Sequence, residues 1–446
     1  MLFVLPQPIQ TALQRLTNAG YEAFLVGGSV RDLLRGTVPE DYDITTSATP
    51  AQMQAVFAGE RVIETGLKHG TLTVLLAELP IEITTYRVDA EYTDHRHPDK
   101  VVFTRSLTED LARRDFTINA MAYHPTKGLV DPFGGQIDLE NRMLRSVGEA
   151  DRRFTEDALR ILRGLRFSSV LGFAIESDTA AAMVRQKHLL CHVSAERVAV
   201  ELKKLLCGKR VQEILCRYAE VLSVVLPELG AMVGFDQKSP YHCYDLMTHT
   251  AVTVAHMPPE PALRLAALLH DIGKPDCFTV DESGIGHCYG HAARSAEMAD
   301  AICHRLKLDR ATTERVVRLV HRHDRQIEPT ERAIHRALSE LTPDGFFDLL
   351  TLRRADTAAK ASEFSERIEQ IDGLERLARK ILAQKPCLSV RDLAVDGTDL
   401  MAVGIAQGKE MGRLLSLLLK AVIEGTVENE KTALLRYLDD RILQNP

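Results

Sequence analysis

Asp41 and Asp43 stand two apart in FLVGGSVRDLLRGTVPEDYDITTSATP, residues 24–50. Residues two apart on a strand share one face. Two carboxylates so placed repel each other unless a cation lies between them, and hard oxygen ligands suit Mg²⁺ carrying a nucleotide's phosphates. Just upstream, Gly27 and Gly28 allow a tight turn, and Ser29 is expected to cap the helix that follows. Backbone N–H groups at such a helix start can receive the same phosphates. A DxD pair alone is more often a solvated acidic turn. Strand, glycine turn, helix, loop and DxD in that order form a nucleotidyl-transfer layout. Glu82, in EITTYR, either completes a three-carboxylate site or is an exposed strand residue.

Two further groups fit a nucleotide. In RRDFTINAMAY, residues 113–123, Arg113 and Arg114 suit a triphosphate. Asp115 and Asn119 share a face if the segment is helical and can then hydrogen-bond a ribose. The alternative is a helix start capped by Asp115, with surface arginines. In RRFTEDALRILRGLRF, Thr155 is expected to cap a helix just ahead of Glu156 and Asp157. Asp157 and Arg160 then lie three apart on one face. Cytosine and adenine both present an amino donor beside a ring-nitrogen acceptor, which an Asp–Arg pair matches; uracil and guanine do not. Read from the helix alone, a routine intrahelical ion pair accounts for the two residues as well. Arg152, Arg153, Arg163, Arg166, Lys203, Lys204, Lys209 and Arg210 form either a local patch for RNA phosphates or a solvated helix surface.

A separate constellation lies downstream. His249, the adjacent His270 and Asp271, His291, His321, His323 with Asp324, and Asp356 each sit on or beside an apolar helical run. Single histidines on such helices are usually structural. An His-Asp dyad after four apolar residues, with histidines on both sides, is rarer by chance. Neutral imidazole plus carboxylate suits a divalent transition metal that activates water.

The elements that must position these groups follow from pattern and composition. Helices are expected at 8–18 and 49–57, and strands at 24–26, 61–64, 70–76 and 81–86. Mixed strands with helices on one face indicate a small α+β sheet domain. After about residue 105, Leu, Ala, Arg and Glu dominate and the chain reads as mostly helical. At 446 residues several domains are needed. The expected boundaries are a head at 1–146, a helical neck at 147–225, a helical metal-binding body at 226–375 and a helical tail at 376–446. The net charge of −7 excludes a global basic field that would steer the chain to nucleic acid. The eight cysteines include no CxxC pair, which argues against a thiolate zinc site or a disulfide framework and fits a reducing cytoplasm. MLFVLPQPIQ lacks the length and basic start of a signal peptide, and no apolar run reaches membrane-spanning length. The sequence leaves oligomeric state open.

LVGGSVRDLL, DYDITTSATP, KHGTLTV, EITTYR, RRDFTINAMAY, DPFGG, EDALRILRGLRF and SAERV occur in the order seen in bacterial class II tRNA nucleotidyltransferases. The chain resembles that family, which includes CCA-adding enzymes and poly(A) polymerases, densely over its first ~210 residues. The resemblance implies a head and neck that carry the chemistry and a tail that contacts tRNA. It implies that Asp41 and Asp43 bind catalytic Mg²⁺. It implies that Arg113, Asp115 and Asn119 contact the nucleotide, and that Asp157 and Arg160 serve as an amino-acid template for C and A, with Glu156 at the first position of their motif. Gly27, Gly28, Arg31 and Arg163 complete the expected nucleotide-binding set. DAEYTDHRHPDK, residues 89–100, resembles the flexible loop that CC-only enzymes lack, with His97 where Arg is expected. The downstream histidines resemble the HD phosphohydrolase superfamily. That implies His249, His270, Asp271 and Asp356 as core ligands, His291 and His323 as further ligands with His321 the rival to His323, and Lys274 as a phosphate contact.

The expected function is template-independent addition of CCA to tRNA from CTP and ATP, with an HD hydrolase module that acts on phosphorylated RNA ends. A-only addition and poly(A) synthesis share the same motifs. From other classes, the chain is mainly an HD phosphodiesterase whose head only binds RNA, or an RNA-binding protein with vestigial sites.

Overall fold

The computed structural model describes residues 3–64, 66–89, 101–239, 243–360 and 365–444. It forms two compact units, Met1–Gly230 and Ala231–Pro446.

In the first unit, helix α1 (Gln7–Asn18) follows Pro6 and buries Ile9, Ala12, Leu13 and Leu16, one stripe of a 3.6-residue period. Strand β1 (Ala23–Val26) is buried at all four positions. Helix α2 (Gly28–Leu34), β2 (Asp43–Thr46), α3 (Pro50–Val56), β3 (Arg61–Ile63), β4 (Thr71–Leu76) and β5 (Leu79–Thr85) follow. A ribbon of β6 (Arg87–Asp89) and β7 (Val101–Phe103) leads into α4 (Leu107–Ala112), β8 (Ala122–His124), β9 (Gly128–Val130) and α5 (Gly135–Glu140). The seven-stranded sheet runs β3-β4-β5-β2-β1-β8-β9, mixed as expected. Its β2–β5 pair is parallel and sets Asp43 directly beside Glu82. The other pairs, such as β1–β2 with Val26 opposite Asp43, are antiparallel. Phe24, Val26, Tyr86, Leu111 and Ala122 make a buried cluster that joins β1, α4 and β8. Full burial of such a side chain stabilises by about 1.5–3 kcal/mol.

The rest of this unit is mainly helical: β10 (Met143–Leu144), α6 (Ala150–Glu156), α7 (Leu159–Leu171), β11 (Ala174–Ile175), α8 (Ser177–Arg185), α9 (Ala195–Leu206), α10 (Val211–Arg217) and α11 (Ala219–Leu222). Helix α7 buries Leu159, Leu162, Leu165 and Phe167 as its periodicity predicts.

Four local expectations are corrected. Strand β2 begins at Asp43, so Asp41 stands just ahead of it rather than on it. Helix α2 starts at Gly28 with Gly27 as N-cap, and Ser29 instead donates to the Val26 carbonyl at 2.8 Å. The 113–123 segment is not an α-helix: α4 stops at Ala112 and only Thr117–Asn119 winds, as one 3₁₀ turn. Thr155 is inside α6 and donates back to the Asp151 carbonyl at 2.8 Å, a bond that competes with capping. The helix breaks at Asp157, where φ is −142° and ψ 103°.

The second unit is helical: α12 (Leu246–His256), α13 (Pro261–Leu269), a small ribbon of β12 (Thr279–Val280) and β13 (Gly286–His287), α14 (His291–Arg305), α15 (Arg310–Arg322), α16 (Glu331–Leu341), α17 (Pro343–Ala358), α18 (Ser365–Ala383), α19 (Gly397–Ala402), α20 (Lys409–Ile423) and α21 (Lys431–Gln444). The last three pack around Leu400, Leu414, Leu418, Leu434 and Leu438. Among the described residues no helix is long and apolar enough to cross a membrane.

Candidate functional site

The glycine turn, the two aspartates and the arginine pair converge on one cavity of about 780 Å³ in the first unit. Gly27 has φ +71°, a left-handed conformation open to glycine at little cost. A Cβ there would lie 3.1 Å from Arg114 Nη1 and 3.9 Å from Asp43 Oδ2, so the turn closes tightly over the arginine and the carboxylate. Asp41 is exposed and Asp43 half-buried on the cavity wall. Burial first, then Glu82 across the parallel ladder and Asp41 nearby, push the Asp43 carboxyl up to about 6, with Arg114 opposing. Glu82 is exposed on β5 and does not line the cavity, yet with Asp41 it leaves Asp43 short of positive charge, which a divalent cation would supply.

Asp115 and Asn119 lie on the same cavity and meet without an α-helix. Asn119 Nδ2 donates to Asp115 Oδ1 at 3.1 Å, and Arg31 Nη1 donates to Asn119 Oδ1 at 2.9 Å. Arg163 Nη2 holds Asp115 Oδ2 at 2.7 Å. Burial alone would raise the Asp115 pKa, but Arg163 and the Asn119 hydrogen bond outweigh it and bring it down to about 2.

Asp157 and Arg160 also line the cavity; the Arg160 main-chain N–H donates to the Asp157 carbonyl at 3.0 Å, but their side chains bond elsewhere. In the helix break, Asp157 Oδ1 accepts the Leu159 N–H at 3.1 Å and Oδ2 accepts Arg197 Nη2 at 2.8 Å. Arg160 is buried and donates to Glu156 Oε2 at 2.8 Å, the Arg153 carbonyl at 3.1 Å and the Arg113 carbonyl at 2.9 Å. The intrahelical ion pair therefore does not form. Three of the five Arg160 donors are used, which fixes the side chain and leaves two N–H groups for a ligand.

Sequence reasoning missed Arg197 and Phe167 as cavity residues. Arg197 lies forty positions from Asp157, so no helical spacing links them, although SAERV stood among the recurring segments. Arg166 stacks over the Phe167 ring at 3.7 Å, with Arg31 and Arg163 at 5.4 Å. These contacts turn part of the basic set inward, where the sequence left a patch for RNA phosphates and a solvated helix surface both open. Arg163 and Arg166 face the cavity, and Arg153 is buried against the Ala112 carbonyl and Glu156. Residues 90–100, the body of the expected flexible loop including His97, lie outside the described residues.

In the second unit the spaced histidines come together. His249, His270, Asp271 and Asp356 form one group whose ligand atoms lie within 4.8 Å of one another, and Asp271, His291 and His323 form another. His249 Nε2 is 3.1 Å from Asp356 Oδ1, and His270 Nε2 is 3.2 Å from Asp271 Oδ2. Asp271 Oδ1 faces His291 Nε2 at 3.3 Å and His323 Nε2 at 3.4 Å. His321 is exposed, and it is His323 that joins the group.

The four Nδ1 atoms face main-chain carbonyls: His249 on Ala359 at 3.2 Å, His270 on Ala267 at 2.7 Å, His291 on Cys288 at 2.8 Å and His323 on Val320 at 2.7 Å. A carbonyl only accepts, so each Nδ1 carries a proton and each ring turns its Nε2 inward toward the carboxylates. His291 Nε2 and His323 Nε2 stand 3.2 Å apart. Acceptors gathered on two carboxylates fit a divalent metal, and the carbonyls provide the outer-shell contacts that metal-bound imidazoles need. Lys274 Nζ lies 2.7 Å from Asp271 Oδ2 and Lys360 Nζ 2.6 Å from Asp356 Oδ2. A cavity of about 360 Å³ opens onto this centre.

Residues 23–145 match the family model for the poly A polymerase head domain. Residues 172–232 match one described as "Probable RNA and SrmB-binding site of polymerase A", and residues 291–438 one for tRNA nucleotidyltransferase domain 2. The CCA-adding enzyme of Geobacillus stearothermophilus is 34% identical over 453 residues, covering 97% of each chain. That of Geobacillus thermodenitrificans is 49% identical over 227 residues, a match that spans 50% of this chain and 56% of that enzyme. The crystal structure of the Bacillus stearothermophilus CCA-adding enzyme in complex with CTP aligns with a TM-score of 0.75 at 32% identity, over 99% of each chain.

Proposed function

Because this chain belongs to the CCA-adding enzymes, a family of tRNA nucleotidyltransferases, we propose that it adds CCA to the 3′ end of tRNA from CTP and ATP without a nucleic-acid template. The observation that carries the reading is the single cavity shared by the glycine turn, Asp41, Asp43, Arg113, Arg114 and the Asp157–Arg160 pair. Asp41 and Asp43, with Glu82 beside them, would hold Mg²⁺, which when bound neutralises the triphosphate and lowers the pKa of the attacking 3′-hydroxyl.

The chain's own groups do the rest. Arg113 and Arg114 bind the triphosphate as charge-assisted donors. Asn119, held by Asp115 and Arg31, meets the ribose. Asp157 accepts from the amino group of cytosine or adenine, and a remaining Arg160 N–H donates to the adjacent ring nitrogen. Uracil and guanine would set a carbonyl against the carboxylate and a ring N–H against the guanidinium, so UTP and GTP are refused.

The test incubates three RNAs with CTP or ATP: tRNA ending before CCA, tRNA ending in CC, and a generic RNA. The expected result is that CTP extends the first, ATP extends the second, and the third does not grow. Extension of generic RNA by ATP would make the chain a poly(A) polymerase, and extension of the CC end alone would make it an A-adding enzyme.

The inward Nε2 atoms of four histidines around Asp271 and Asp356 support a second reading, a metal-dependent phosphohydrolase acting on RNA ends. Those six residues would hold one or two transition-metal ions, which when bound activate water.

A further inference from the structure

Asp110 lies near the end of α4, three residues before the arginine pair, and its side chain is 0% exposed. Donors reach it from three segments. Thr45 Oγ1 on β2 donates at 3.1 Å, and the main-chain N–H of Arg87 at the start of β6 donates at 3.3 Å. Arg113 donates through Nε at 3.0 Å and Nη2 at 2.8 Å, and Arg114 through Nη2 at 3.4 Å. One carboxylate thus holds two adjacent guanidinium groups, and both of those line the nucleotide cavity while Asp110 does not. Arg114 in turn reaches the glycine turn, and its charge acts on Asp43.

Taking a carboxylate fully out of water is costly unless every oxygen is met by charge or hydrogen bonds, and here both are. What the arrangement supplies is geometry. Long arginine side chains lose rotamer freedom when they bind a phosphate, and a partner that fixes them beforehand removes that loss from the binding step. Two cations and one anion leave a net positive charge at the cavity wall, already aimed. Thr45 stands two residues after Asp43 on β2, so the same carboxylate ties the arginines to the strand that carries the metal-binding aspartate.

We propose that Asp110 is a positioning residue for the nucleotide triphosphate, acting through Arg113 and Arg114 and touching neither the base nor the tRNA. The inference rests on the reading of the cavity as a nucleotide site. It is tested with the full-length chain carrying Asp110→Asn, which keeps shape and removes charge. The expected result is that the KM for CTP and ATP and the inhibition constant of pyrophosphate, a probe of the same subsite, rise together by about tenfold or more. The KM for tRNA and kcat at saturating nucleotide stay within about threefold. A folded variant with unchanged nucleotide KM and pyrophosphate inhibition overturns the proposal, as does an equal loss in every parameter. If Asp110→Asn does not fold, Asp110→Ala is assayed with and without formate, a small carboxylate that can enter the vacated space. Recovery of nucleotide KM by formate supports the assignment, and no recovery overturns it. A wild-type chain that extends no tRNA would instead refute the reading of the cavity itself.

Discussion

At the residue scale the decisive quantities are charge and its neighbours. Burial, Glu82 and Asp41 make Asp43 an unwelcome anion in the absence of a cation, so deleting it relieves repulsion rather than support. Asp43→Ala is expected to lower nucleotide addition by about 10³-fold or more while the melting temperature does not fall. Primer extension and a thermal scan check it, and near-normal activity would remove Asp43 from the site. Asp115 is the opposite case, with its pKa down at about 2. A carboxyl whose folded pKa lies below its unfolded value, near 3.9, contributes stability that is present above that value and lost as pH falls through the folded pKa. Asp115→Asn is therefore expected to cost about 2 kcal/mol at neutral pH, a cost that shrinks between roughly pH 4 and pH 2. Urea titrations of both proteins at several pH values measure this, and a penalty that does not change with pH would show that the charge is not what matters.

At the element scale, much of the architecture was legible. The periodicity of Ile9, Leu13 and Leu16 marked α1, and the alternation in Thr71–Leu76 marked β4, because one buried face imposes one period. What local pattern did not carry were the interruptions. Asp157 sits in a stretch whose apolar spacing reads straight through it, and the break is set by its capping of the Leu159 N–H and by Arg197 from another helix. Likewise Asp115 and Asn119 meet through a 3₁₀ turn rather than the α-helix that their spacing suggested. For the site, residue types at set spacing identified most groups on the cavity wall, whereas Arg197 depends on packing between helices and left no spacing signal; Phe167, seven residues after Arg160 on α7, shares a helix face with it. Close approach of elements also separates glycines that look alike in sequence. Gly208 follows α9, and a Cβ there would fall 2.0 Å from Ser169 Oγ and 2.5 Å from the Ser169 carbonyl carbon in α7. Gly208→Ala is expected to cost about 2–3 kcal/mol because backbone must move. Gly412 lies inside α20 with nothing within 4 Å of its added Cβ, so Gly412→Ala is expected to stabilise by about 0.5–1 kcal/mol. Denaturant midpoints of the two variants would show opposite signs.

At the scale of the whole molecule, the two candidate centres belong to different compact units, the nucleotide cavity to the first and the histidine centre to the second. Their chemistries are then separable by substitution. Purified protein is expected to retain about one or two transition-metal ions, and His270→Ala to lose them while CCA addition persists. Elemental analysis beside a tRNA extension assay decides this, and metal-free wild-type protein at full purity would count against the centre. The main-chain anchoring of all four imidazoles gives that centre a kinetic character. Because every ring is already held in its orientation before an ion arrives, loading requires no refolding. Protein stripped by a chelator should recapture metal promptly on dialysis, with its circular dichroism the same before and after, as a rigid cage behaves and a metal-folded finger does not.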